Sequence, residues 1–112
     1  MTTTPAVSVI VPTHDRCDSL ARLLRALASQ QNVGGDYEAI VVADGCSDGT
    51  APRVRSTRWP FPVHVLEQPA SGPAIARNCG AAIASGRILL FLDDDTEPET
   101  RTLAAHVAAH DA

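Results

Sequence analysis

Three adjacent carboxylates, Asp93-Asp94-Asp95, follow directly on the apolar run Ile88 to Leu92. Like charges this close repel and raise one another's proton affinity. A hard divalent cation relieves that repulsion. Mg2+ and Mn2+ take oxygen ligands, commonly one or two carboxylates together with substrate phosphates. Asp93 and Asp95 stand in a D-x-D pattern. Without an ion, the same residues would serve as a solvated acidic turn that caps the next helix. Asp44 ends a second apolar run, just before Gly45. A carboxylate there can accept a hydrogen bond from a ring N–H of a nucleobase, or it can belong, with Asp48-Gly49, to plain turn chemistry. His14 and Asp15 close a third apolar run, placed either for ligand contact or as ordinary half-exposed residues.

Arg77 lies one turn inside a helix that Gly72-Pro73 opens. A helix N-terminus favours anions, and a guanidinium adds a bidentate phosphate donor; the alternative is a surface arginine. His106 and His110 have the i, i+4 spacing of paired metal ligands, but position 107 is Val, so the H-E-x-x-H glutamate is missing and a frayed terminal helix is the simpler reading. No G-x-S-x-G elbow is present, and a chain without Lys has no G-x-x-x-x-G-K-[ST] loop.

The elements that must position these residues follow from periodicity. Val7 to Val11 is β-branched, ends at Pro12 and reads as a buried strand. Asp18 is the expected N-cap of a helix from Ser19 to about Gln30, whose Leu20, Leu23, Leu24 and Leu27 make one apolar face. Glu38 to Ala43 is a second buried strand that runs into the turn residues 44–49. A short helix starts at Thr50, with Pro52 in its first turn. Val63 to Glu67 is a weaker third strand. The helix opened by Gly72-Pro73 runs to about Ser85 and is closed by Gly86, with Ile75, Ala76, Cys79, Ala82 and Ile83 on its apolar face. Arg87 to Leu92 is the fourth strand, and Glu99 to about His110 the last helix. Strands alternating with helices, apolar throughout, imply an α/β fold with a Rossmann-like parallel sheet covered on both faces. Right-handed crossovers favour the order 3-2-1-4. Ligands in such sheets bind beyond the carboxyl ends of the strands, where residues 13–16, 44–48 and 93–95 all fall.

Composition limits the function classes. The 112 residues suit one domain. Hydrophobic residues make up 45% and charged residues 20%, which is globular rather than disordered. A net charge of −4 with no basic cluster argues against nucleic-acid binding. No apolar run approaches the ~20 residues of a membrane span. Met1 to Pro5 lacks the pattern of a signal peptide. Cys17, Cys46 and Cys79 are odd in number and form no CxxC pair, which fits a reduced, cytoplasmic setting.

Four blocks together resemble the N-terminal half of a family 2 glycosyltransferase with the GT-A fold: residues 7–16 (VSVIVPTHDR), 41–50 (VVADGCSDGT), 72–80 (GPAIARNCG) and 90–95 (LFLDDD). The resemblance implies an α/β donor-binding domain. Pro12, His14 and Asp15 fall where the nucleotide-sugar pocket begins, at positions where the family often has Tyr for His14 and Asn for Asp15. Asp44 matches the aspartate that binds the base, and Arg77 the arginine near the diphosphate. Asp93, Asp94 and Asp95 match the D-x-D block that holds metal, ribose and phosphates, with Asp95 and Asp93 implied as the metal residues. The implied cofactor is Mn2+ or Mg2+, the implied partner a nucleoside-diphosphate sugar, and the implied reaction an inverting transfer to an acceptor hydroxyl of a saccharide, lipid or polymer. The family's general base stands well downstream of the D-x-D. Here 17 residues follow Asp95, so the base and the acceptor half are expected beyond Ala112, and the full-length protein at the cytoplasm or the cytoplasmic face of a membrane. The runner-up is a nucleotide-binding remnant without catalysis. A haloacid-dehalogenase-type hydrolase also carries D-x-D after a strand, but it places Thr or Val where Glu97 stands and needs a later Lys. The fourth strand is expected at a sheet edge, leaving Ile88, Leu90 and Leu92 exposed and prone to self-association.

Overall fold

The computed structural model describes residues 4–111; Met1, Thr2 and Thr3 of the N-terminal stretch, and Ala112, lie outside the described residues. The chain alternates β1 (Val7–Thr13), α1 (Cys17–Ala28), β2 (Tyr37–Asp44), α2 (Thr50–Ser56), β3 (Val63–Gln68), α3 (Pro73–Ile83), β4 (Ile88–Phe91) and α4 (Thr102–Asp111). All strand pairs are parallel and the sheet order is β3-β2-β1-β4, as the crossover argument requires. All four strands therefore deliver their carboxyl ends to one side of the sheet.

Strand alternation divides the core in two. Val7, Val9 and Val11 of β1, with Ala39 and Val41 of β2, meet Leu20, Leu23, Leu24 and Leu27 of α1, Val54 of α2 and Leu103 of α4. Ile10, Ile40 and Val42 point the other way, onto Ala76 of α3. Among the described residues one sheet face thus carries three helices and the other only α3. Pro12 sits inside β1 at no cost to the ladder. Ala6 and Ile10 accept from β4 N–H groups, so the alternating even positions face β4. The last β1–β4 pair is Ile10 with Phe91. Pro12 lies beyond it, where its missing N–H leaves no acceptor waiting.

Five expectations are corrected. Helix α1 starts at Cys17, not Ser19, and Asp18 does not cap it. The Cys17 N–H instead donates to Asp48 Oδ2 at 3.2 Å, from a loop far along the chain. Helix α4 begins at Thr102 rather than Glu99. Helix α3 ends at Ile83 and buries Ala76 and Gly80, while Ile75 and Ile83 are about half exposed. Close approach decides this face: a Cβ on Gly80 would stand 2.6 Å from Ile10 Cγ2, so only glycine lets the helix reach the sheet. Gly86 does not close α3 either; it passes against β1, where a Cβ would meet the Ser8 backbone N at 2.6 Å. On β4 the exposed pair is Leu89 and Phe91, not Ile88, Leu90 and Leu92, because α4 covers the latter parity.

Candidate functional site

At the carboxyl end of β2, Asp44 is set by the chain that follows β3. Its Oδ1 accepts from Gln68 Nε2 at 2.9 Å and from the Ser71 N–H at 2.7 Å, and its Oδ2 from the Gly72 N–H at 3.0 Å. The Gln68 bond and then the two backbone N–H groups hold its carboxyl below the ordinary carboxylate range. The turn after Asp44 needs Gly45, which has φ +62° and stands so close to residue 70 that a Cβ would lie 2.7 Å from Ala70 Cβ. His14 reaches the same place from β1: its Nδ1–H donates to the Asp44 carbonyl at 2.6 Å. That bond, helped by the charges of Asp15, Asp44 and Asp48, raises the imidazole pKa above 6.5.

The three acidic residues after β4 divide into two kinds. Asp94 is buried. The Thr13 hydroxyl donates to its Oδ2 at 2.9 Å, and Arg16 Nη1 stands 3.4 Å from its Oδ1. It ties the end of β4 to the end of β1. Asp93 and Asp95 are exposed. Among the described residues the Asp93 carboxylate has no hydrogen-bond or ion-pair partner, and Asp95 only a 4.0 Å approach from Arg16. The anchored middle carboxylate thus leaves the outer two open to a cation.

Pro12, His14, Asp44, Arg77, Asp93, Asp94 and Asp95 line one cavity of about 380 Å3, with Thr13, Arg16 and Pro73. Residues from β1, β2, α3 and the segment after β4 meet there, beside the switch point between β1 and β4. Its walls carry four carboxylates and the guanidiniums of Arg16 and Arg77. Arg77, near the start of α3, pairs with no carboxylate among the described residues. A divalent cation suits the acidic excess, and a phosphate group suits the unpaired guanidinium.

Asp15 alone among the candidate residues is not part of the cavity wall. It adopts φ +50°, a conformation that Asp and Asn tolerate better than most residues. Its Oδ1 accepts from the N–H groups of Ser47 and Asp48, at 2.7 and 3.2 Å. It staples the first loop to the second. Asp48 is likewise occupied: its Oδ1 accepts from Thr50 and its Oδ2 from Cys17, and the Thr50 hydroxyl bond above all holds its carboxyl below the ordinary range. Asp15, Cys46 and Asp48 do gather ligand atoms within 4.8 Å of one another. Both carboxylates are already committed to the loops, whereas among the described residues Asp93 carries no such bond and Asp95 only the 4.0 Å approach from Arg16. Sequence reasoning placed Thr13 and Arg16 at the ligand end of the sheet but gave neither a role in the site. Thr13 is the last residue of β1, and an N-terminal helix cap position at Arg16 points its side chain toward the strand ends.

The sheet order, with a polar crevice at its switch point, defines a Rossmann-like α/β domain. The chain belongs to glycosyl transferase family 2, whose profile matches residues 8–112. It is 36% identical over 108 residues to glycosyltransferase AglE of Haloferax volcanii, covering 95% of this chain and 36% of that protein. The crystal structure of Staphylococcus aureus TarS 1-349 in complex with UDP superposes with a TM-score of 0.84 at 32% identity, covering 94% of this chain and 32% of the other. Mannosyltransferase PcManGT from Pyrobaculum calidifontis, in complex with GDP-Man and Mn2+, gives 0.78 at 31% identity, covering 92% and 31%. The fold is that of the GT-A glycosyltransferases. The chain spans about a third of the length of these relatives.

Proposed function

We propose that this chain binds a nucleoside-diphosphate sugar together with Mn2+ or Mg2+ and forms the donor half of an inverting glycosyltransferase. One observation carries the reading: the base-reading candidate Asp44, the phosphate-binding candidate Arg77 and the open carboxylates Asp93 and Asp95 come from three separate stretches of chain into one cavity. Asp44, fixed by three donors, presents a positioned acceptor to a base N–H, and His14 and Pro12 form the wall beside it. Arg77 meets the diphosphate from the start of α3, where the helix dipole adds to its charge. Asp93 and Asp95 would hold the cation, which supplies charge neutralisation to the leaving diphosphate. The named complexes of two relatives, with UDP and with GDP-Man and Mn2+, support this assignment. Three unpaired cysteines suit the cytoplasmic side, where we place the domain.

The acceptor's proton needs a base. Among the described residues the carboxylates lining the cavity are Asp44 and Asp94, both hydrogen-bonded in place, and Asp93 and Asp95, assigned to the cation. Glu97 pairs with Arg22 and Asp111 with Arg87. The 112-residue chain therefore binds donor without transferring it. Calorimetric titration of UDP with and without Mn2+ tests the reading. Binding should tighten with the metal, and Asp95→Asn should remove that synergy while circular dichroism stays unchanged. Equal metal-coupled binding by variant and parent refutes the assignment.

A further inference from the structure

Among the described residues Arg16 is the one cation paired with the acidic turn. It takes the N-cap position of α1, where its carbonyl accepts from the Leu20 N–H at 2.9 Å and fixes the root of the side chain. Its Nη1–H donates to Asp94 Oδ1 at 3.4 Å and stands 4.0 Å from Asp95 Oδ2. The two carboxylates differ in what else holds them. Asp94 is buried and also takes the Thr13 hydroxyl at 2.9 Å, so it keeps an anchor without Arg16. Asp95 is exposed, and among the described residues Arg16 is its only partner. The Arg16 side chain is itself 59% exposed and free to change partner. Only Nη1 of its fork is engaged among the described residues, which leaves donors for an anion in the cavity that it lines together with Arg77.

We infer that Arg16 couples cation binding to donor binding: it is an internal counter-cation that holds Asp95 in the empty site and passes to the diphosphate when a divalent ion takes that carboxylate. The inference rests on the donor reading above. In the empty cavity the Arg16 guanidinium opposes a divalent ion at Asp95 by like-charge repulsion. It yields Asp95 because the contact is long and exposed, and because a doubly charged ion at the same separation gains about twice the Coulomb energy from that carboxylate. The released guanidinium then needs an anion, and a diphosphate accepts its fork. Metal alone offers no such anion; the nucleotide brings one. Each ligand thus removes a cost that opposes the other, and the coupling is reciprocal. A residue that merely braced the turn would act with the opposite sign, since loss of a brace weakens the site of the ion.

Mn2+ titration of the 112-residue chain, followed by the paramagnetic-resonance signal of the free ion, with and without UDP, reads the coupling directly once the Mn2+–UDP complex in solution is subtracted. Arg16→Gln should bind Mn2+ alone about threefold more tightly, the scale of removing one exposed charge. It should bind UDP alone more weakly, and the enhancement of Mn2+ binding by UDP should shrink by about the same factor as the metal-alone gain. Arg16→Lys keeps the charge and should keep the weak metal-alone binding of the parent. Circular dichroism should be unchanged in both variants. Metal-alone binding that Arg16→Gln leaves equal or loosens overturns the inference, and so does an enhancement by UDP that it leaves undiminished. A tightening that Arg16→Lys reproduces overturns it as well, because charge is then not the cause. A parent whose Mn2+ binding UDP does not improve overturns the donor reading, and this inference falls with it; a coupled parent with a loosened Arg16→Gln variant overturns this inference alone.

Discussion

Thr13→Val tests whether the inward carboxylate of the acidic turn holds the site together. Thr13 is 3% exposed, and its hydroxyl donates to Asp94 Oδ2 at 2.9 Å. Valine keeps the β-branched shape that suits β1 and removes only the donor. Arg16, at 3.4 Å, supports the other oxygen and does not replace it. A buried hydrogen bond to a charged group contributes about 1.5–3 kcal/mol. With an unfolding entropy of about 2.1 cal/mol/K per residue, the loss corresponds to a Tm drop of roughly 6–13 °C for a chain of this size. The same change frees the turn that aims Asp93 and Asp95, so the affinity for UDP with Mn2+ falls as well. Thr13→Ser keeps the hydroxyl, loses a methyl, and should restore binding at a smaller stability cost. Scanning calorimetry and titration calorimetry read the two effects separately. A Thr13→Val protein that melts within about 2 °C of the parent and binds equally well refutes the argument.

Two further outcomes follow from burial and close packing. Glu38 is buried, which alone would raise its pKa, but hydrogen bonds from Ser8 and Ser85 and the charge of His64 hold it below 4.5. A lowered folded-state pKa gives stability that is present above 4.5 and lost as pH falls through the folded value. Glu38→Gln should therefore be less stable than the parent at neutral pH by denaturant midpoint, and the gap should close in the acid range; parallel profiles would discount the carboxylate's role. Gly80→Val forces side-chain atoms into the space where a Cβ already meets Ile10 Cγ2 at 2.6 Å. It should cost roughly 2–3 kcal/mol by denaturant titration, and a neutral result would mean that α3 is not tightly seated.

The strands, α1 and the location of the site were legible because their signals are local. VSVIV and EAIVVA are β-branched or apolar apart from Ser8 and Glu38, the four α1 leucines keep helical spacing, and each strand stops at polar residues that a parallel sheet must place on one side. The parallel order followed from handedness. What required the tertiary structure concerns choices between chemically equal residues. Ile-Leu-Leu-Phe is apolar on both parities, so only the placement of α4 decides that Leu89 and Phe91 face outward. Counting apolar residues on α3 points to Ile75 and Ile83, yet the contact belongs to Ala76 and Gly80, because the closest approach needs the smallest side chains. Three consecutive aspartates are alike as residues; Asp94 turns inward because Thr13, 81 residues away in sequence, offers it a donor. The cap of α1 comes from Asp48 rather than Asp18, and Asp15 is held by Ser47 and Asp48 rather than left free for a ligand. In each case the deciding partner lies far along the chain, and a hydrogen bond or a van der Waals contact is a property of distance in space that sequence spacing does not encode.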